Sequence, residues 1–337
     1  MRREEAKEDL DIVAASKYIL LSLLLIPYSL FAAKPQQVKL STEQEQQFRY
    51  YWYAAKQAIE EERFDDALVL LTFCEQLSPN DGKTLDYLGS IYAAMGDLER
   101  STKYYRLANE ADPRDQWYHY SDRLIRAGSK ENLKEAQRVL EKALQLNPKA
   151  EDLLESLRKF YSLTEQWKKM LAIQDRLDAI KGFNAYSALY RVNAYIQLDK
   201  PKKAIEVIDK YLEQDPTDVQ FMEYRVNLME RTKAKPAALY DYYEKILALA
   251  PNNLMMLNNY AYLLATHKGD IKKAERMSQL TIREEPDNAV YLDTYGWILH
   301  LQGQDELALF YLHKALDNTK DRKTALIIQQ HIHAIKK

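Results

Sequence analysis

Small and apolar residues recur along this chain in short helical registers, each broken by a proline or glycine before the next begins. Pro79, Pro113, Pro148, Pro216, Pro251 and Pro286 stand 34, 35, 68, 35 and 35 residues apart, and the long step divides at Gly182, another helix stopper. Twelve residues before each beat comes a slot filled by Ala67, Ser101, Ala136, Met170, Ala204, Leu239 and Ala274, and the count extends to Ala308. Seven residues later stand Cys74, Ala108, Ala143 and Ala315. Seven residues is two helical turns, so both slots share one helix face, and small side chains there let two helices approach closely. Ten residues after a proline a second small slot holds Gly89, Ala261 and Gly296, followed three residues on by Tyr92, Leu264 and Leu299. Each period therefore reads as two amphipathic antiparallel helices joined by a short turn, and a fixed period of this length marks an array of repeats.

The turns carry matching signals. Gly96-Asp97, Gly269-Asp270 and Gly303-Gln304-Asp305 place a glycine for the left-handed residue after a helix and an acidic residue to cap the next. Ser78-Pro79-Asn80-Asp81, Asp215-Pro216-Thr217-Asp218 and Glu285-Pro286-Asp287-Asn288 do the same between periods, since proline cannot continue the preceding helix. After the last period, Ala325, Ile328, Ile332 and Ile335 recur at helical spacing. Residues 319–337 read as a helix that caps the open end of the array.

This pattern resembles the tetratricopeptide repeat (TPR). Leu85, Leu88-Gly89, Tyr92, Tyr105, Ala108 and Pro113 follow its signature in the second period, and Leu292, Tyr295-Gly296, Leu299, Ala308, Leu312 and Ala315 follow it in the last. The third to sixth periods are degenerate, with Arg123, Arg158, Val192 and Val226 in the small slot. The resemblance implies an all-α, right-handed superhelical solenoid of about eight helix pairs over residues 43–318. It implies a protein or peptide partner on a concave face lined by the first helix of each pair.

Counting about four, seven and eleven residues from each proline gives the exposed inner positions. Trp52, Lys56, Asp86, Tyr186, Asn193, Asn227, Asn258, Tyr262, Asp293 and Trp297 are the candidate binding residues, and the same count includes Trp117 and Tyr120. Aromatic residues are usual anchors at protein interfaces, and amides can hold an extended backbone. Some relatives clamp a C-terminal carboxylate with lysine and asparagine at such positions. Here Trp52 and Asp86 occupy the lysine slots, so that ligand is not carried over.

Composition narrows the functional classes. Lys+Arg is 48 and Asp+Glu is 50, a net charge of −2, which leaves no basic groove for nucleic acid. The six histidines form no His-x-x-x-His pair, and the chain has neither a glycine-rich phosphate loop nor a Gly-x-Ser-x-Gly turn. We expect no catalytic residue, no metal and no cofactor. Cys74, the only cysteine, sits in a small-residue slot and reads as core.

The N-terminal stretch differs. Residues 18–31 are largely apolar, Lys17 precedes them and Ala32-Ala33 follow. A bilayer crossing needs about 20 apolar residues, so this shorter run reads as a signal peptide spanning 1–33, with a linker over 34–42. The acidic residues before it fit a leader poorly and point to a translation start downstream, near Val13. The expected setting is the bacterial periplasm. The alternative is an uncleaved segment that anchors an assembly factor to the inner membrane, and a second is a carbohydrate-binding accessory protein that stacks sugars on the inner aromatics.

Overall fold

A computed structural model describes residues 39–336, so the predicted leader or anchor over 1–33, most of the linker and Lys337 lie outside the described residues. Among the described residues there are seventeen α-helices and no strand. They fall into two compact units, divided between Glu165 and Gln166.

The first unit holds α1 (Thr42–Glu60), α2 (Phe64–Leu77), α3 (Gly82–Ala94), α4 (Leu98–Ala111), α5 (Tyr118–Ala127), α6 (Lys130–Leu146) and α7 (Glu151–Leu163). Within it α1 packs on α2, α3 on α4 and α5 on α6, and each pair also packs on the next helix. The second unit holds α8 (Trp167–Lys181), α9 (Ala185–Gln197), α10 (Pro201–Leu212), α11 (Val219–Arg231), α12 (Pro236–Leu249), α13 (Leu254–Thr266), α14 (Ile271–Glu284), α15 (Ala289–Leu301), α16 (Asp305–Asp317) and α17 (Arg322–Ile335). There the pairs are α9–α10, α11–α12, α13–α14 and α15–α16. The first helices α13, α15 and α17 also pack side by side.

The small-residue slots are the seams of these pairs. Ala67, Ala136, Ala204, Ala274 and Ala308 are fully buried, as are Cys74, Ala108, Ala143 and Ala315. Gly89 and Gly296 sit opposite them at closest approach: a Cβ on Gly89 would stand 2.6 Å from the ring of Tyr105, and one on Gly296 would stand 2.8 Å from Leu312 Cγ and 3.1 Å from the Ala308 carbonyl oxygen. Burial pushes the Cys74 thiol up to about 12, helped by the charge of Asp81, so this cysteine is an inert core residue.

The helix ends explain the turn signals. Asp81, Asp97, Asp218, Asn253, Asp270, Asn288 and Asp321 each accept a backbone N–H of the first turn they precede. Such caps satisfy donors that have no partner inside the helix. The turn between the two helices of a period takes one left-handed residue in every case: Glu62, Gly96, Gly128, Glu165, Asp199, Lys233, Lys268 and Gly303. Glycine therefore fills only some of these positions. At Lys268-Gly269 the left-handed residue is the lysine, contrary to the sequence expectation, and Gly269 is instead pressed against Leu264, where a Cβ would lie 2.7 Å from Cδ2.

The third period breaks the register. Its first helix begins five residues after Pro113, whereas α3 begins three after Pro79, and it is only ten residues long before Gly128 ends it. Its second helix is correspondingly long, at seventeen residues. The fixed inner-face count fails there for that reason. Trp117 and Tyr120 are buried core residues, and Tyr118 takes the exposed position instead.

α17 docks through Ile328 and Ile332 on Leu292, Leu312 and Ala315. Among the described residues no helix is long and apolar enough to cross a membrane.

Candidate functional site

Four of the ten candidate residues come together in the second unit. Asn258 and Tyr262 lie one turn apart on α13, and Asp293 and Trp297 lie one turn apart on α15, whose side-by-side packing aligns the two pairs. The cap helix adds a fifth member. His331 of α17 lies flat on the Trp297 indole, with ring centroids 4.3 Å apart and planes 22° from parallel. Its Nδ1 is 2.8 Å from Oδ1 of Asp293, and its ring centroid is 6.5 Å from that of Tyr262. The His300 ring is also 5.1 Å from that of Trp297, tilted by 43°, and His300 pairs with Asp305 through Nδ1 at 2.6 Å.

Two of these positions are not the exposed ones that the repeat count expects. Asn258 is 3% exposed and Asp293 is 9% exposed, because neighbouring first helices close over the centre of the face. They form its floor, while Tyr262 and half-buried Trp297 form its accessible part. Asn258 Oδ1 is buried without a hydrogen-bond partner, and its Nδ2 reaches only Asn259 Oδ1 at 3.4 Å. A buried acceptor with no partner in the protein costs roughly 1–3 kcal/mol unless water or a ligand supplies the donor. Burial, and then the nearby charge of Asp293, push the Tyr262 phenol up, which keeps its hydroxyl protonated.

In the first unit the candidates form a second, looser group. Trp52 meets Tyr87 edge-on at 5.4 Å, and the Lys56 ammonium lies 5.4 Å from the Trp52 ring centre. Asp86 is held by His119 Nδ1 at 2.8 Å, and His119 stacks on Tyr105 at 5.1 Å. The hydrogen bond that His119 donates to Asp86 raises the His119 pKa above its ordinary value. Tyr186 on α9 is 76% exposed, and Asn193 on α9 and Asn227 on α11 are exposed. The structure does not gather these three into either cluster.

His331 and His119 are the residues that the inner-face count misses. The signal for His331 was present: 35 residues separate Tyr262 from Trp297, and 34 more reach His331, so the cap helix repeats the inner register once more. For His119 the late start of α5 hid the register.

The tetratricopeptide-repeat family model matches residues 88–115 and 191–218, the latter within the stretch that reads as degenerate. A TPR repeat-containing protein of Pseudomonas aeruginosa is 28% identical over 199 residues, covering 58% of this chain and 33% of its own length. These matches support a tetratricopeptide-repeat protein. It spans about a third of the length of that curated relative. Among solved structures, the TPR protein YrrB, described as having an unusual peptide-binding site, is similar over 57% of this chain and 97% of its own, at 18% identity and a TM-score of 0.45. A tetratricopeptide repeat protein from Parabacteroides merdae covers 87% of this chain and 100% of its own, at 13% identity and a TM-score of 0.42. Tetratricopeptide-repeat proteins are in general scaffolds for protein or peptide partners. Among the described residues of this one, no three His, Cys, Asp or Glu side chains are grouped to hold a metal ion.

Proposed function

We propose that this protein is a non-catalytic scaffold of the bacterial cell envelope that holds an extended segment of another protein on the face formed by α13, α15 and α17. The observation that carries this reading is the buried, unpartnered Oδ1 of Asn258 beside the accessible rings of Tyr262 and Trp297. An amide on the floor and aromatic walls suit a peptide, whose backbone supplies N–H donors and whose side chains supply apolar area. The envelope setting is supported by the apolar run at residues 18–31 with Ala32-Ala33 behind it.

Site-specific photocrosslinking in cells tests the site, with the photoreactive residue at Tyr262 or, as a comparison, at the exposed Phe310 of α16. Crosslinks from position 262 and none from 310 agree with the proposal. Crosslinks from 310 alone would move the site to the other face. Mass analysis of the mature N-terminus in the same preparation tests export. A start near Ala33 or Lys34 agrees with a cleaved leader, and retention of 18–31 makes the protein membrane-anchored.

A further inference from the structure

We infer that the face of α13, α15 and α17 selects a lysine or arginine side chain of the bound segment. This rests on the proposal that a peptide binds there, and it names the chemistry that the peptide must carry.

Asn258 contributes a buried oxygen with no donor. Asp293 contributes a carboxylate whose Oδ1 takes one hydrogen bond, from His331 Nδ1. An ionised carboxylate can accept about four, so capacity is left over. His331 holds this carboxylate in place against the Trp297 ring. The open aromatic ring is that of Tyr262, whose face carries negative quadrupole potential, while the Trp297 indole beside it is stacked by His331. A carboxylate with spare acceptor positions and an open aromatic ring on one face match a cation with several N–H donors. A purely apolar side chain would bring no donor to the spare acceptor positions of Asp293, and an anion would face its charge.

The Asp293–His331 bond is not a substitute for such a ligand. It aligns the carboxylate and the imidazole against Trp297, but it leaves the Asn258 oxygen one turn away from Tyr262 without a donor.

The test uses the full chain and a random-peptide array. Peptides whose binding is lost in Trp297→Ala are resynthesised with each Lys or Arg replaced by norleucine, which keeps the aliphatic stem and removes the charge. The expected result is one basic position per peptide at which norleucine weakens binding about tenfold or more. In Asp293→Asn the same pair of peptides should differ much less. Loss of packing alone would weaken both peptides equally, so the ratio separates recognition from stability. His331→Gln, which leaves the carboxylate in place, should preserve most of the preference. If Trp297-dependent peptides bind equally well with norleucine, this inference is overturned and the peptide-binding reading stands. If no peptide on the array depends on Trp297, both are overturned.

Discussion

The imidazole of His331 lies on the indole of Trp297 at 4.3 Å, joining the last helix to the last complete helix pair. α17 thus does two jobs: Ile328 and Ile332 close the apolar end, and His331 extends the inner face by one register. Replacing His331 with alanine removes a stacked aromatic pair and a hydrogen bond to a largely buried carboxylate. We expect a loss of about 1–2 kcal/mol in thermal or urea unfolding, with helical content by circular dichroism unchanged. Unaltered stability would show that α17 is held by its isoleucines alone.

The glycine seams give a sharper packing prediction. A methyl on Gly296 meets both Leu312 Cγ and the Ala308 backbone oxygen, and one on Gly89 meets the Tyr105 ring. Alanine is the better helix former by about 1 kcal/mol, yet here the clash should win. Gly296→Ala should lower stability by about 1–3 kcal/mol, and Gly296→Leu should cost more still. Gly89→Ala should be the milder change, because a ring can shift where a backbone oxygen cannot. Melting curves of the three variants check the order.

The left-handed turn residues invert the usual effect of glycine. Lys233 has φ 54° and Asp199 has φ 52°, a conformation that costs a residue with a Cβ about 1–2 kcal/mol. Glycine relieves that strain but gains freedom in the unfolded chain, which offsets part of it. Lys233→Gly should therefore stabilise the protein by about 0.5–1 kcal/mol, read as a higher urea midpoint with an unchanged slope.

These positions also show where the sequence was legible. The proline beat and the alanine slots located the helix pairs because steric rules leave few residues able to stop a helix or sit in a tight seam. The five non-glycine turn residues were not legible, since a lysine or glutamate in a left-handed turn leaves no compositional mark. Trp117 and Tyr120 were misplaced because a helix starting two residues late rotates every later position about its axis. Asn258 and Asp293 are buried where the count expects exposed positions, because their burial depends on how closely α13, α15 and α17 pack, which one helix's periodicity does not encode.

The Asp86–His119 pair predicts a pH dependence. Hydrogen bonding to Asp86 raises the His119 pKa in the folded protein above the ordinary value of 6.5. A raised histidine pKa means that the folded state binds the proton more tightly than the unfolded state. The pair's contribution is therefore fully present below the ordinary value and is lost as pH rises through the folded value. The stability advantage of the wild type over Asp86→Asn should shrink between about pH 6 and pH 8. His119 is partly exposed, so solvent screening keeps the effect small. Proton NMR of the His119 ring should give a midpoint above the ordinary value in the wild type and a lower one in Asp86→Asn. Equal midpoints would mean the pair does not form in solution.

The central claim is that the face of α13, α15 and α17 holds a peptide. The direct measurement is titration of array-selected peptides against the wild type, Trp297→Ala, Asn258→Ala and Phe310→Ala, with the helical content of each checked. Loss of the Trp297 anchor should cost about 2 kcal/mol or more, and loss of the Asn258 amide about 1 kcal/mol, while Phe310→Ala should bind as the wild type does. Asn258→Ala should unfold no more easily than the wild type by more than its lost packing, because the oxygen it removes has no partner in the free protein. Wild-type affinity in Trp297→Ala and Asn258→Ala, with loss in Phe310→Ala, would contradict the account and place the site on the second-helix face.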